Sequence, residues 1–497
     1  MDTAIRACIS PDVHPSRITG ILRNATARLS AAGDILDLIS SNPATENTLA
    51  KAAQTQKQAL ENGEFVSLRE FASQLTTLEQ LAATDQPHTR AAVIECQALI
   101  AASMQNHQSA AELCRYGSEI ADLEYAQKWC LLHLQAILLA EHGQLFEDDT
   151  SLQAAIELLK TTILPLAEES ADSQNMARSH STLGNVLGMI GQRRRGTRHL
   201  EEAIKAFEEA LDQISPDIAP AMWAGVQNSL GNALGSLGQR SSDDNLLRQS
   251  IEAFEQALTR QSESSCASDW ASTMNNLAAV QQSLGCSQND AKVLKQSVES
   301  YKAVLRVWTR ADMPLDWATT MDNLGTALRN LGEHRRGPGT LKQAVAAYRS
   351  ALAERQRELV PDDWAKTQNN LGAALQKLAQ REESSEIMQR ATESYEQSLA
   401  EWTREKTPLT WAFTIANLGV ARREVAQMTG DIETADKAVE EIGAAVDFFR
   451  GASHAQYTEL GEEQLSKARM LLATLVAEKD SGAAGGNTSA VDDVNTA

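Results

Sequence analysis

Residues 364–378 read WAKTQNNLGAALQKL, and variants of this stretch recur at a constant distance along the chain. The Trp-Ala pair at its start returns every 47 residues, as from Trp317 to Trp364 (364 − 317 = 47). The tryptophans of this column are Trp223, Trp270, Trp317, Trp364 and Trp411, and the same step backward reaches Met176 and Trp129. A fixed period of this size indicates an array of structural repeats and not a series of independent globular domains.

Apolar columns follow each Trp position. A Leu stands seven residues after it, and a small residue comes directly after that Leu, as in Leu371-Gly372. The equivalent pairs are Leu183-Gly184, Leu230-Gly231, Leu277-Ala278, Leu324-Gly325 and Leu418-Gly419. A further Leu column, eleven residues after the Trp, is interrupted by Gln281 and Arg422. These spacings share one face of a helix, and the small residue allows a second helix to approach closely.

The second half of each repeat has the pattern Ala203-x3-Phe207-x2-Ala210, which predicts a second amphipathic helix with one large side chain between small ones. The equivalent large residues are Phe254, Tyr301, Tyr348, Tyr395 and Ile442. Prolines stand three residues before four of the Trp positions, at Pro220, Pro314, Pro361 and Pro408. Proline suits the first turn of a helix, because its missing N–H would have no intrahelical acceptor there. Each repeat is therefore predicted to be helix, loop, helix, loop.

The combination of LGxxL, a following Ax3[FY]x2A block and a later proline resembles the tetratricopeptide repeat. The NNLA core at Asn275–Ala278 and the lengthened repeat are most similar to the kinesin-light-chain-like branch of that family and its bacterial relatives. The resemblance covers about residues 125–450. It implies an all-α, right-handed solenoid of stacked helix-turn-helix repeats, in which one face of each first helix lines a concave groove.

Five segments are expected, set apart by how well each keeps the 47-residue pattern. They are an N-terminal capping region (1–44), short irregular repeats (45–124), the array of 47-residue repeats (125–457), a C-terminal capping helix (458–480) and a disordered tail (481–497). The N-terminal cap is expected to be one helix over Arg17–Ile39. In the first repeat of the array, the second-helix pattern is displaced by one residue, at Ala155, Leu159 and Thr162.

Composition restricts the classes of partner. The chain has 497 residues, with 45 Lys and Arg against 66 Asp and Glu, and its formal net charge is −21. Nucleic acid and anionic membranes would repel such a chain, so neither is expected as a partner. The six cysteines form no CxxC pair, and residues 1–21 lack an apolar core of signal-peptide length. A cytoplasmic location is therefore predicted.

The sequence contains no motif that indicates catalysis. GxSxG, P-loop, HExxH and CxxC patterns are absent, and the nine histidines are scattered. Acidic doublets such as Asp148-Asp149 and Asp362-Asp363 precede or begin predicted helices, where they compensate the helix dipole. We therefore expect no enzyme activity, no cofactor and no metal site.

The best functional candidates lie five, nine and twelve residues after the Trp positions, on the side of the first helix opposite the Leu-Gly seam. We call this surface the first-helix face. Its candidate partner-binding residues are Asn228, Asn232, Asn275, Asp322, Thr326, Arg329, Asn369, Gln376 and Arg423. Asn both donates and accepts hydrogen bonds, so a column of Asn can hold the backbone of an extended peptide. The alternative is that these Asn side chains bond locally between neighbouring helices. The adjacent column, with Asn276 and Asn370, is expected to bond to the second helix of its own repeat.

A basic loop is the sharpest charge anomaly in this acidic chain. It contains Arg193, Arg194, Arg195 and Arg198, and Arg335-Arg336 occupies the equivalent loop three repeats later. One interpretation is a docking patch for an acidic partner or a phosphate. The favoured interpretation is a solvated loop whose charge is balanced by Glu201 and Glu202.

The leading functional hypothesis is a non-catalytic adaptor or scaffold that binds a protein or peptide segment in its groove. The alternative is a ligand- or peptide-responsive regulator that controls a separate effector, although no effector domain is visible. A third possibility is an array that presents a separately encoded catalytic partner to its target. The Trp column itself is expected to be structural, with each indole packed across a junction between repeats.

Overall fold

The computed structural model describes residues 15–42, 45, 47–62, 68–82 and 86–486. Within these ranges all the regular secondary structure is helical, so the predicted all-α repeat fold is confirmed. The chain divides into two compact units, a first unit up to Val280 and a second unit from Gln281 onward. The division falls inside a helix, Ala267–Ser287.

In the described part of the chain, eight α-helices precede the six regular helix pairs, and the first six of them come before the displaced pattern. These six are α1 (Pro15–Ser41), α2 (Asn47–Asn62), α3 (Leu68–Ala82), α4 (Pro87–Ser103), α5 (His107–Ser118) and α6 (Tyr125–Leu145). α1 packs against both α2 and α4, and the core between these helices contains the buried side chains of Leu36, Phe71 and Ile100. The helix expected over Arg17–Ile39 is therefore present and slightly longer.

The displaced pattern after Trp129 has a local structural cause. α7 (Asp149–Leu158) continues through a π-helical turn at Leu159–Ile163 into α8 (Leu164–Glu169). A π turn accommodates one extra residue in a helix. Ala155 and Leu159 are buried as the displaced pattern predicts, but Ile163 is buried in place of Thr162. The π turn thus returns the helix to the register of the later repeats.

Six helix pairs follow, one for each 47-residue repeat. The first helices are α9 (Ser173–Arg193), α11 (Pro220–Ser241), α13 (Ala267–Ser287), α15 (Pro314–Glu333), α17 (Pro361–Glu382) and α19 (Pro408–Thr429). The second helices are α10 (Arg198–Gln213), α12 (Asp244–Leu258), α14 (Ala291–Val307), α16 (Gly339–Glu354), α18 (Ser385–Leu399) and α20 (Ile432–Gly451). Within each compact unit, consecutive helices pack against one another. The chain continues into α21 (Ala455–Gly486), which packs mainly on α20.

The two kinds of helix begin in different ways. The four prolines singled out in the sequence occupy the first turns of α11, α15, α17 and α19, as predicted. Several second helices begin instead with a side-chain cap; Asp243 accepts from the backbone N–H of Asn245, and Asp431 accepts from that of Thr434. These caps satisfy N–H groups that the first turn of a helix leaves without partners.

The Leu-Gly seam forms the contact within each helix pair. A Cβ added to Gly184 would lie 2.6 Å from a ring carbon of Phe207, and one added to Gly325 would lie 2.8 Å from the ring of Tyr348. The aromatic ring therefore fills the space that the missing side chain leaves, and the predicted close approach is confirmed. The same arrangement joins Gly231 with Phe254.

The polar residues that interrupt the Leu column are each matched by a polar partner on the second helix. Ser300 Oγ donates to Gln281 Oε1 at 3.0 Å, and Arg422 forms an ion pair with Glu441. In both cases the partner lies 19 residues later in the chain. Polar substitution in this seam thus occurs in complementary pairs, as buried polar groups require.

The tryptophans of the column from Trp223 to Trp411 are half-buried, and three of them contact an arginine. The guanidinium of Arg310 lies 5.6 Å from the ring centre of Trp317, and the pairs Arg357–Trp364 and Arg404–Trp411 repeat this contact. Each of these arginines comes from the loop before the helix that carries its tryptophan. Trp129 differs, because its ring is buried and its Nε1 donates to Ser179 Oγ of the next repeat at 3.2 Å.

The C-terminal helix extends beyond the expected cap. Residues 458–480 were expected to be helical, and α21 runs from Ala455 to Gly486. The first residues of the expected tail are therefore helical, while its remainder, 487–497, lies outside the described residues. The first fourteen residues of the expected N-terminal cap lie outside them too.

Candidate binding site on the first helices

The first-helix face carries hydrogen bonds between neighbouring first helices. In the first unit, Asn276 Nδ2 donates to Asn228 Oδ1 at 3.2 Å. In the second unit, Asn370 Nδ2 donates to both carboxylate oxygens of Asp322 at 3.3 Å. The expectation that Asn276 and Asn370 bond to the second helix of their own repeat is wrong, because the amides reach back to the preceding first helix instead.

Asp322 lies in a buried ion pair. Its side chain is 2% exposed, and its Oδ1 lies 3.9 Å from Nη1 of Arg355, which is 3% exposed. Arg355 also donates to Thr367 Oγ1 at 2.5 Å and to Thr319 Oγ1 at 3.0 Å. The guanidinium therefore joins the first helices of two consecutive repeats. Since its carboxylate is enclosed, Asp322 belongs to the packing between these repeats.

Asn275 and Asn369 differ from Asn228 and Asp322. Each has a side-chain oxygen that is shielded from solvent, and neither oxygen has a hydrogen-bond partner among the described residues. Both side chains are otherwise half-buried. These two positions thus provide hydrogen-bond acceptors that the fold itself does not use.

Two candidate residues of the second unit, Thr326 and Gln376, form hydrogen bonds with tyrosines of the second helices. The hydroxyl of Tyr348 lies 2.9 Å from Thr326 Oγ1, and Tyr395 donates to Gln376 Oε1 at 3.2 Å. Burial raises the pKa of both tyrosines, so both hydroxyls stay protonated at neutral pH. The tyrosine hydroxyls therefore fix the orientation of two candidate side chains.

The two candidate arginines have different surroundings. Arg329 is half-buried and donates to Asn330 Oδ1 at 3.3 Å, and its Nε is shielded without an acceptor in the described part of the chain. Arg423 donates to Gln464 Oε1 of α21 at 2.6 Å. Arg423 thus contacts the C-terminal helix, whereas Arg329 bonds to a residue of its own helix, α15.

An amide-lined cleft opens on the first unit. It has a volume of about 400 Å³ and lies between α9 and α11, close to the end of α6. The rings and methyl groups of Phe207 and Leu200 form its floor. The polar lining residues are Gln144, Asn185, Gln192, Ser229 and Asn232. Of the predicted set, the structure therefore places Asn232 at a concave opening.

The basic loop is largely occupied by contacts within the protein. Arg193 donates to Gly143 O at 2.9 Å, and Arg194 pairs with Asp149 at 3.0 Å. The hydrogen bond from Arg194 holds the pKa of Asp149 below its usual value. Arg198 pairs with Glu202 at 2.8 Å, as the solvated-loop interpretation implies, and Arg195 is exposed.

The backbone of this loop is also held. Arg240 of the next repeat donates to the carbonyl oxygens of Gly191, Arg194 and Gly196 at 2.7 to 2.8 Å. The loop is therefore fixed between two repeats.

The described residues contain neither a candidate metal-ligand cluster nor a membrane-spanning helix. Among them, no three His, Cys, Asp or Glu side chains are grouped so as to hold a metal ion. No helix in the described ranges combines the length and apolar character needed to cross a bilayer.

His133 is part of the packing. Burial lowers the pKa of His133 to about 4, and its neutral ring stacks on Trp129.

The cleft depends on residues that sequence analysis did not select. Gly188 and Ala233 leave the space open, and Phe207 closes it from below. Comparing Ala233 with Val280, its equivalent one repeat later, would have indicated a local loss of volume. The sequence cannot show whether another side chain moves into that space.

The family comparison agrees with the fold. Residues 364–401 match the model of the tetratricopeptide repeat. The periodic helix pairs and this match make the chain a tetratricopeptide-like repeat protein. No curated protein sequence matches the chain.

Solved structures with similar folds come from several kinds of protein. BtubC (BKLC) from P. vanneervenii is 17% identical, with a TM-score of 0.31, over 55% of this chain and 91% of its own. A Rap protein complexed with competence and sporulation factor is 13% identical, with a TM-score of 0.37, over 78% of this chain and 99% of its own. Human IFIT1, solved as a dimer with PPP-AAAA, is 12% identical, with a TM-score of 0.37, over 91% of this chain and 94% of its own.

Proposed function

We propose that the chain is a non-catalytic adaptor that holds an extended segment of a partner protein on its first-helix face. The observation that carries the proposal is that each compact unit has a first-helix amide oxygen, that of Asn275 or of Asn369, without a hydrogen-bond partner among the described residues. A buried acceptor without a partner costs about 1–3 kcal/mol. Rotation of either half-buried side chain would present this oxygen to a backbone N–H of a bound segment, and the hydrogen bond would remove that cost.

The spacing of the amides favours a chain-like partner. Within each compact unit, one first-helix position recurs per repeat, so a ligand that contacts several of them has to extend from one first helix to the next. Contacts to a peptide backbone depend little on its side chains. We expect an affinity of about micromolar, because ordering a flexible segment offsets much of the contact energy.

Free thiols support a cytoplasmic location, and exposed charge supports a secondary role for the basic loop around Arg195. The cysteines at 96, 114, 130, 266 and 286 are free thiols, which fits a reducing cytoplasm. We infer that Arg195, which is exposed and has no ion pair among the described residues, acts on the rate of association and is not the main site, since exposed charges mainly steer encounter.

The test is affinity capture from native cytosol with a triple variant, Asn232→Ala, Asn275→Ala and Asn369→Ala. Ala is the better helix former, so the helical circular dichroism signal should be retained. Asn228 is left intact because it accepts the hydrogen bond from Asn276. The variant should lose the proteins that the native chain captures, as identified by mass spectrometry.

The matched control removes three exposed amides from second helices, Asn245→Ala, Gln256→Ala and Gln389→Ala. It should capture the same proteins as the native chain. If the first-helix variant is folded and still retains every partner, the proposed function of this face is wrong. If only the control variant fails to capture a partner, that partner binds the second helices.

A further inference from the structure

The cleft between α9 and α11 arises from a difference between two consecutive repeats. Gly188 and Gly235 are equivalent, one repeat apart (235 − 188 = 47). A Cβ added to Gly235 would lie 2.9 Å from Val280 Cγ2 and 3.0 Å from Ser250 Oγ. A Cβ added to Gly188 would meet nothing within 4 Å. The space is filled in one repeat and open in the other.

The two smaller side chains account for the opening. Val280 has Ala233 as its equivalent one repeat earlier, and Ser250 has Ala203. Both substitutions remove heavy atoms from the same place. The protein itself therefore shows which group suits this position, namely the branched aliphatic side chain of a valine.

The lining of the cleft disfavours charged ligands. None of its lining residues carries a charge, so an acidic or basic group would enter without a partner. The apolar floor of Phe207 and Leu200 favours an apolar group. Asn185, Ser229 and Asn232 also line the cleft and provide hydrogen-bond donors and acceptors that suit a peptide backbone.

We infer that this cleft is the specificity pocket for the bound segment and accepts one aliphatic or aromatic side chain of a partner peptide. The inference rests on the proposed function and adds a sequence requirement to it. Backbone contacts to the amides tolerate most sequences, whereas the cleft selects the residue between them. Burying an apolar side chain of that size stabilises the complex by removing its surface from water.

The experiment selects a phage-displayed random dodecamer library against the full native chain. We expect the enriched peptides to share one Val, Ile, Leu, Met or Phe. Replacing that residue by Ala in a synthetic peptide should weaken binding at least about tenfold, measured by fluorescence polarisation.

Two variants fill the cleft from the protein side. Ala233→Val copies the residue that the next repeat carries, so it should fold. Gly188→Leu adds a side chain into open space. Each variant should bind the unsubstituted selected peptide about tenfold more weakly than the native chain does. Binding of the Ala-substituted peptide should hardly change, because that peptide already lacks the side chain that enters the cleft. Gly225→Leu is the control, because a Cβ there also meets nothing within 4 Å and the position is outside the cleft lining.

The outcomes separate this inference from the proposed function. Peptides that bind the native chain and ignore both Ala233→Val and Gly188→Leu overturn the cleft assignment and leave the adaptor function standing. The same holds if the enriched peptides share no apolar residue. Failure of the native chain to enrich any peptide overturns the proposed function and the cleft assignment together.

Discussion

Trp317 shows that a structural aromatic residue in this array does not have to be fully enclosed. One side of its ring is covered by the guanidinium of Arg310, which also pairs with Glu354 at 2.5 Å. The contact joins the loop before α15 to the end of α16. Arg310 therefore connects Trp317, at the beginning of the repeat, to Glu354, at its end, while the indole ring remains half-buried.

We predict that Trp317→Ala lowers stability by about 2 kcal/mol, less than the 3–5 kcal/mol typical of a fully buried aromatic residue. Trp129→Ala should reach that higher range, because its ring is buried. Urea unfolding followed by circular dichroism measures both, with Arg310→Ala as a control that removes only about 0.5–1 kcal/mol. An equal or larger loss for Trp317→Ala than for Trp129→Ala would contradict this ranking.

The Asp322–Arg355 pair gives a second prediction at the level of single residues. Breaking a buried pair from one side leaves an uncompensated charge and costs about 3–5 kcal/mol. The next repeat carries Asn369 and Trp402 at the equivalent positions. We therefore expect Asp322→Asn and Arg355→Trp to be strongly destabilising singly and much less so together.

Thermal unfolding of the two single variants and the double variant measures the coupling between these sites. The double variant should recover at least about 2 kcal/mol relative to the sum of the single effects. Simple additivity of the two losses would show that the charges do not depend on each other. Additivity would therefore contradict a stabilising interaction between the buried side chains of Asp322 and Arg355.

The pairing of α19 with α20 makes one element of the fold sensitive to pH. Arg422 is shared between Glu441 and Glu396, so a single cation faces two carboxylates. Burial raises the pKa of Glu441 to about 7, and the negative charges of Glu396 and Glu440 act in the same direction, while Arg422 opposes them. The folded protein thus favours the protonated carboxyl.

The sign of the pH dependence follows from this direction. The unfolded chain releases the Glu441 proton near pH 4.5, whereas the folded chain holds it until about pH 7. The stabilisation is complete below pH 4 and is lost as the pH rises through 7. Between pH 5 and pH 8 we expect a loss of about 2 kcal/mol from this group.

Glu441→Gln should remove most of this dependence, because the amide does not titrate. Hydrogen exchange of α20 at pH 5 and pH 8, corrected for the intrinsic exchange rate, measures the local stability. Glu433→Gln on the same helix is the control, since Glu433 is an exposed residue paired with Lys437 at 2.7 Å. An unchanged slope in Glu441→Gln would contradict the assignment.

Secondary structure and the seam were predictable because they depend on residues close to one another in the repeat. The positions of Pro361 and of Leu371-Gly372 were enough to predict where α17 begins and which side faces α18. The partners of Asn276 and Asn370 were not predictable, since they depend on how consecutive first helices are rotated. That rotation results from side-chain packing along the whole interface.

At the scale of the molecule, the repeat period predicted the architecture but not the position of the binding site. The 47-residue step was sufficient to indicate helix pairs, but the cleft depends on the absence of a few atoms at Ala233 and Ala203. Buried Arg355 also went unnoticed, because a lone Arg at the end of a helix pattern usually faces solvent. The sequence shows what each position contains, while open space depends on neighbours from other repeats.

The constant length of the repeats has a consequence for how the gene can change. Recombination between the codons of Trp317 and Trp364 would delete 47 residues and join two equivalent positions. Asp322 and Arg355 would leave together, and so would the seam pair of Gly325 and Tyr348. The shortened product would keep complete helix pairs, whereas a deletion that is not a whole number of repeats would break the spacing of the seam residues. Whole repeats are thus the natural unit by which this protein can lengthen or shorten.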